Sequence, residues 1–233
     1  MYTTSMSMIT ASRCSDGLLL VSDGKARFIE NGKERTDYHT CKINMVTDFV
    51  YALRTVYATT EFETQYCDVY QELNDVKPLS VERVAKSLRN KLTIVHQSEV
   101  DNGGKYLVIL AGYDIDSEGK PTDKRIYEIV NNHEEEKIKP CHYHVALGGG
   151  VDINNSQLAL NRIMVDHQPN ETATNNVLHH ISTIRTAETK DSSIGGEFFA
   201  KLLNTNGIND VDPKVIEAAE SFVSMRLKWA AMK

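Results

Sequence analysis

The chain has 233 residues, 41% of them hydrophobic and 25% charged, an ordinary globular composition with enough apolar material for one substantial core. Its formal net charge of −6 argues against a dedicated binder of nucleic acid or anionic membrane, which would carry a basic surface. No apolar run reaches the roughly 18 residues that span a bilayer, and the opening MYTTSMSMITASRC has neither a basic stretch nor a long apolar one. A soluble cytoplasmic protein without a secretory signal is therefore expected. Cys14, Cys41, Cys67 and Cys141 lie far apart with no CxxC pair, so reduced thiols are expected and not a disulfide framework or a zinc site.

The first elements are a strand from Met8 to Ser12, a turn at Ser15-Asp16-Gly17 and a strand through Leu18-Leu19-Leu20-Val21. Asp-Gly is a strong hairpin signal, and four consecutive apolar residues suit a strand buried on both faces. A further turn is expected at Asn31-Gly32, then strands over 41–46 and 49–53. Two helices follow. The first carries Phe62, Tyr66, Val69, Tyr70 and Leu73 on one face, and the second starts at the N-cap Ser80 with a stripe of Val81, Val84, Ala85, Leu88, Leu92 and Val95.

The polar stretch 101–104 ends the helical pair. Strands return over 106–114 and, after a hydrophilic loop at 117–123, over 125–130, where alternation suggests a half-exposed strand. Glu134-Glu135-Glu136 is expected in a solvated loop. Tyr143 to Leu147 forms another strand, and helices are expected over 155–165 and 172–188, the latter striped by Val177, Ile181 and Ile184. A strand over 198–203 ends at Asn206-Gly207. Asp212-Pro213 then opens a last helix with Val215, Ile216, Ala219, Phe222, Val223 and Leu227, Pro being favoured at the first helical position. No linker divides the chain. The expected organisation is an extension at 1–6, one domain over 7–210 and a C-terminal helix over 211–233.

Blocks of strands and helix pairs, without strict alternation, argue against a doubly wound parallel sheet. Two antiparallel sheets face to face with helix pairs outside would bury every apolar stripe. That block order resembles the proteasome β-type subunits and related N-terminal-nucleophile (Ntn) hydrolases. SDGLLLVSD (15–23) resembles the family's opening hairpin, and VILAGYD (108–114) the strand that opens its second half. PLSVERVAKSLRNKL is similar to its second helix. KDSSIGGEF (190–198) resembles the stretch that carries a site aspartate and a glycine pair. The resemblance implies a four-layer αββα sandwich and a peptidase or amidohydrolase that needs no cofactor. It also implies a homo-oligomeric or hetero-oligomeric ring, a peptide or protein substrate, and room for an unfoldase partner.

Carried over by position, the resemblance puts the nucleophile on Ser7, an aspartate on Asp23, the lysine on Lys42 and a later aspartate on Asp191. In this chemistry a hydroxyl is a weak nucleophile until a base takes its proton, and the free α-amine of the same residue is that base. Its reference pKa of about 7.7–8.0 suits neutral pH. Lys42 would keep the amine unprotonated and stabilise developing negative charge, Asp23 would orient Lys42, and Asp191 would hold the N-terminal end.

Some positions depart from the family. Serine replaces the usual threonine at 7, Gly149 and Ile194 stand where the family has serines, and Val56 falls near its oxyanion-hole glycine. Met6, not glycine, precedes Ser7. These departures favour the alternative of a non-catalytic ring subunit, and a small-molecule amidase on the same fold is a further alternative. Other features carry less. His142 and His144 share a strand face but lack a third metal ligand, and 148–150 lacks the lysine of a P-loop. Cys14 and Cys41 are expected to be core thiols, and His179-His180 to be solvated.

Overall fold

The computed structural model describes residues 7–30, 33–54, 60–99, 106–132, 135–148, 170–189, 192 and 194–232. In chain order the strands are β1 (Met8–Cys14), β2 (Gly17–Asp23), β3 (Ala26–Glu30), β4 (Lys33–Asp37), β5 (Ile43–Thr47) and β6 (Val50–Arg54). Helices α1 (Thr60–Leu73) and α2 (Val81–Glu99) come next. They are followed by β7 (Tyr106–Ile115), β8 (Pro121–Asn132), β9 (Glu135–Cys141) and β10 (His144–Gly148). The described chain ends with α3 (Ala173–Glu188), β11 (Phe198–Asn204), β12 (Gly207–Asp210) and α4 (Pro213–Ala231). The expected turn at 31–32, the polar stretch at 101–104 and the expected helix at 155–165 lie outside the described residues.

Two antiparallel five-stranded sheets hold most of the strands. The first has the order β10-β1-β2-β11-β12 and the second β5-β6-β7-β8-β9, with β3 and β4 forming a separate hairpin. The fold is thus α+β, with helices packed on both sheets.

The Leu18-to-Val21 run explains the layering. Side chains alternate across a strand, so Leu18 and Leu20 face the second sheet and join Val108, Leu110 and the α2 stripe in one core. Leu19 and Val21 face the other way, against Val177, Ile181 and Ile184 of α3 and Ala219 and Val223 of α4. A fully buried leucine contributes roughly 1.5–3 kcal/mol, so this one strand anchors both cores. Ser80 caps α2 through its hydroxyl, which accepts from Arg83 N at 3.2 Å, and Val81, Val84, Ala85, Leu88 and Leu92 are buried as their spacing required. Asp212 caps α4, accepting from Lys214 N at 2.9 Å.

The structure corrects several expectations. Glu135 and Glu136 open β9 and do not sit in a loop, while Glu134 lies outside the described residues; among the described residues β9 is the outer strand of its sheet and pairs with β8. The hydrophilic loop shortens to 116–120, because β8 already pairs at Pro121 opposite Ile115. The unforeseen β12 folds back on β11 across Asn204 and Gly207. Phe222 does not point into the core with its helix neighbours; it is exposed. Among the described residues no helix is long and apolar enough to cross a membrane.

Candidate active site at the junction of the two sheets

The β1–β2 hairpin register sets Ile9 opposite Ser22, which brings the start of β1 beside the end of β2. Ser7 and Asp23 therefore meet at one end of the first sheet, where β11 also begins with Phe198 opposite Asp23. Lys42 arrives from the second sheet. It precedes β5, and its carbonyl accepts from Arg54 N on β6 at 3.3 Å. The candidate site lies where the two sheets come together.

Asp23 is fully buried and both its oxygens are hydrogen-bonded. Its Oδ1 accepts from Met8 N at 2.9 Å and from Lys42 Nζ at 2.6 Å, and its Oδ2 accepts from Gly195 N at 3.0 Å. Lys42, also buried, donates a second hydrogen bond to the Lys25 carbonyl at 2.8 Å. Ser7 Oγ donates to that same carbonyl at 3.4 Å. The hydroxyl and the ammonium thus meet at a single backbone oxygen, and the carboxylate holds the ammonium.

Burial dominates the ionisation of the pair. It pushes the Asp23 carboxyl up, against the charge and hydrogen bond of Lys42 and the amides of Gly195 and Met8. It pulls the Lys42 ammonium down, against the opposing pull of Asp23.

The surrounding loops fit tightly. Gly195 and Gly196 have φ of 138° and 82°, the region that side-chain-bearing residues avoid. A Cβ on Gly196 would come within 2.7 Å of the Tyr38 carbonyl, and one on Gly24 within 2.5 Å of the same oxygen. That carbonyl accepts from Glu197 N at 3.0 Å, while Lys25 N donates to the Gly195 carbonyl at 2.8 Å. Lys25 Nζ bonds the Ser192 carbonyl and lies 5.5 Å from the Tyr38 ring centre. At the rim, His39 Nδ1 and Glu197 Oε2 are 2.8 Å apart, and the Glu197 hydrogen bond raises the His39 pKa.

Of the four residues singled out from sequence, Ser7, Asp23 and Lys42 come together, and Asp191 lies outside the described residues, as do Val56 and Gly149. Ile194 is buried in the core between the first sheet and α3, with no polar group to offer. The Lys25 carbonyl and the Gly195 amide were missed. Backbone groups leave no composition signal; the glycine pair at 195–196 was the only available hint. Cys14 is buried and burial raises its thiol pKa, which agrees with a core thiol, while Cys41 is only partly buried. No cluster of His, Cys, Asp and Glu able to hold a metal occurs among the described residues.

His180 differs most from its sequence reading. It is completely buried: Nδ1 lies 2.7 Å from Thr10 Oγ1 and Nε2 lies 2.8 Å from Ser12 Oγ. Alternate residues of β1 thus present hydroxyls to α3. Asn176, one helical turn earlier, donates to Cys14 Sγ at 3.4 Å. Helix α3 is riveted to β1 by side-chain polarity as well as by its apolar stripe. Comparison of the chain with protein-family models and with curated proteins finds no match.

Proposed function

We propose that this chain is a proteasome-like Ntn hydrolase, a four-layer αββα protein that cleaves peptide or other amide bonds with Ser7 once residues 1–6 are removed. The observation that carries this reading is the convergence of Ser7 Oγ and Lys42 Nζ on the Lys25 carbonyl, with Lys42 held by buried Asp23. The proposal includes a cytoplasmic oligomeric ring, open to an unfoldase partner, with peptide or protein as substrate and Asp191 steadying the N-terminal end.

The chemistry follows from the groups. The α-amine of an N-terminal Ser7 takes the Oγ proton while Oγ attacks the amide carbon. Collapse of the tetrahedral adduct breaks the C–N bond, and the departing amine takes the proton from the α-ammonium. Water then attacks the acyl-ester, the amine again accepting a proton, and the acid leaves as Ser7 regains its hydroxyl. The Lys42 charge disfavours protonation of the nearby α-amine and stabilises negative charge at Oγ.

The core position of Ile194 supports a second reading, a non-catalytic ring subunit, because the family's hydroxyl is absent there. A small-molecule amidase would use the same steps on a shorter substrate. Protein prepared to begin at Ser7, compared with the full chain on fluorogenic peptides and small amides, tests the three readings. Turnover only by the form starting at Ser7 is the expected result, with peptides favoured over small amides. No turnover by either form favours the non-catalytic subunit.

A further inference from the structure

Helix α4 has two apolar faces, and the fold uses one. Ala219 and Val223 are buried, and Val215, Ile216 and Leu227 pack beside them against the α3 core. An adjoining face carries Ala218, Phe222, Met225, Trp229 and Met232, spaced four, three, four and three residues apart, the interval of a helix-pairing seam. Phe222 is 43% exposed, Met225 50%, Trp229 69% and Met232 79%, so the seam is an open apolar stripe. Its charges are mixed at the start of the helix, where Lys214 and Glu217 lie, and positive near the end, where Arg226 and Lys228 lie; Glu217 and Lys228 are on the same flank of the stripe, with Ser221 between them.

We infer that this face of α4 docks on the same face of a second copy of the chain, the two helices antiparallel about a two-fold axis. In that orientation small meets large, Ala218 opposite Trp229 and Phe222 opposite Met225. Glu217 of each copy comes within a turn of Lys228 of the other. A parallel two-fold pairing would put the two Glu217–Lys228 flanks on opposite sides of the seam, where neither Glu217 meets a Lys228. The contact is isologous, and it does not depend on the chemistry proposed for Ser7. It supplies a pairing surface that a larger assembly could incorporate.

Trp229 is the only tryptophan in the chain, so its emission reports on this face directly. Sedimentation equilibrium of the full chain should show self-association with a blue shift of the emission as concentration rises. Trp229→Ala should weaken that association by roughly tenfold or more, as truncation of a central aromatic does. Lys228→Glu should weaken it and Glu217→Lys with Lys228→Glu should restore it. In a Cys67→Ser background, Ala218→Cys mixed with Trp229→Cys should form a disulfide-linked pair, and Trp229→Cys alone should not. A chain that stays monomeric overturns the inference. So does an assembly indifferent to both Trp229→Ala and Lys228→Glu, or one in which Trp229→Cys cross-links to itself. Circular dichroism of each variant separates loss of pairing from loss of fold.

Discussion

Lys42 stands between a carboxylate that holds it and a hydroxyl it can assist, both within the reach of one side chain. If the Ser7 chemistry operates, Lys42→Ala should lower turnover by ~10²-fold or more, the usual effect of losing an electrostatic group at a reacting oxygen. The same substitution strands Asp23 in the interior, at a cost of about 3–5 kcal/mol for a broken buried pair. That cost depends on pH. Burial raises the folded pKa of Asp23 above its unfolded value, and removal of Lys42 leaves this unopposed. The protonated form is then the comfortable one, so the variant is least damaged at low pH and loses stability as pH rises through the raised pKa. Urea unfolding of both proteins at pH 4.5 and pH 8 should show the larger difference at pH 8; an equal or smaller difference there contradicts the assignment.

His39 offers a second pH handle at the rim. Its pKa is raised first by the hydrogen bond to Glu197. Whatever it contributes to holding the Tyr38 loop is present in full below the unfolded value near 6.5 and lost as pH rises through the higher folded value. NMR titration of the imidazole should give a pKa above 6.5 that falls back toward 6.5 in Glu197→Gln. A value at or below 6.5 in the parent protein would dismiss the contact.

Among the elements, the β1–α3 contact is the one most dependent on polar fit. His180→Ala removes two buried hydrogen bonds and leaves the Thr10 and Ser12 hydroxyls without that partner, which predicts a loss of about 2–4 kcal/mol. A loss under ~1 kcal/mol in chemical denaturation would show that the network matters little. Sequence reasoning put His180 in solvent because its neighbours in the helix are polar, and only the register of β1 against α3 shows that the ring lies under the helix. By contrast, the β1–β2 hairpin was legible because Asp-Gly and the Leu run constrain the backbone locally, and α2 because cap and stripe agree. The edge strand β9 was hidden by its charges, which belong to an edge but look like a loop when no partner strand is known. In the site itself, Asp23 and Lys42 were legible through resemblance of the flanking segments, whereas the carbonyl of Lys25 and the amide of Gly195 are tertiary facts with no side-chain signature.

The molecule as a whole couples these parts through its two sheets. Ser7 and Asp23 belong to one sheet and Lys42 to the edge of the other, so the geometry of the site depends on how the sheets stack. Leu20 lies in the core between them, and Leu20→Ala should cost about 2.7–5 kcal/mol, the range seen for leucine truncation in a packed interior. Its effect should extend to the site: turnover by the form starting at Ser7 should fall further than in Leu19→Ala, which opens a cavity on the α3 side instead. Equal losses of turnover at similar stability would argue that sheet stacking does not position Lys42.

The proposal that Ser7, served by Lys42 and Asp23, is a working nucleophile has a chemical consequence. Acylation of protein beginning at Ser7 by a β-lactone or epoxyketone, mapped by peptide mass spectrometry, tests it most directly. One adduct on Ser7 is expected, retained or increased in Ser7→Thr, whose added methyl restricts the rotamer, and lost in Lys42→Ala. Failure of both the parent and the Ser7→Thr protein to label, with the assembly intact, would contradict the claim.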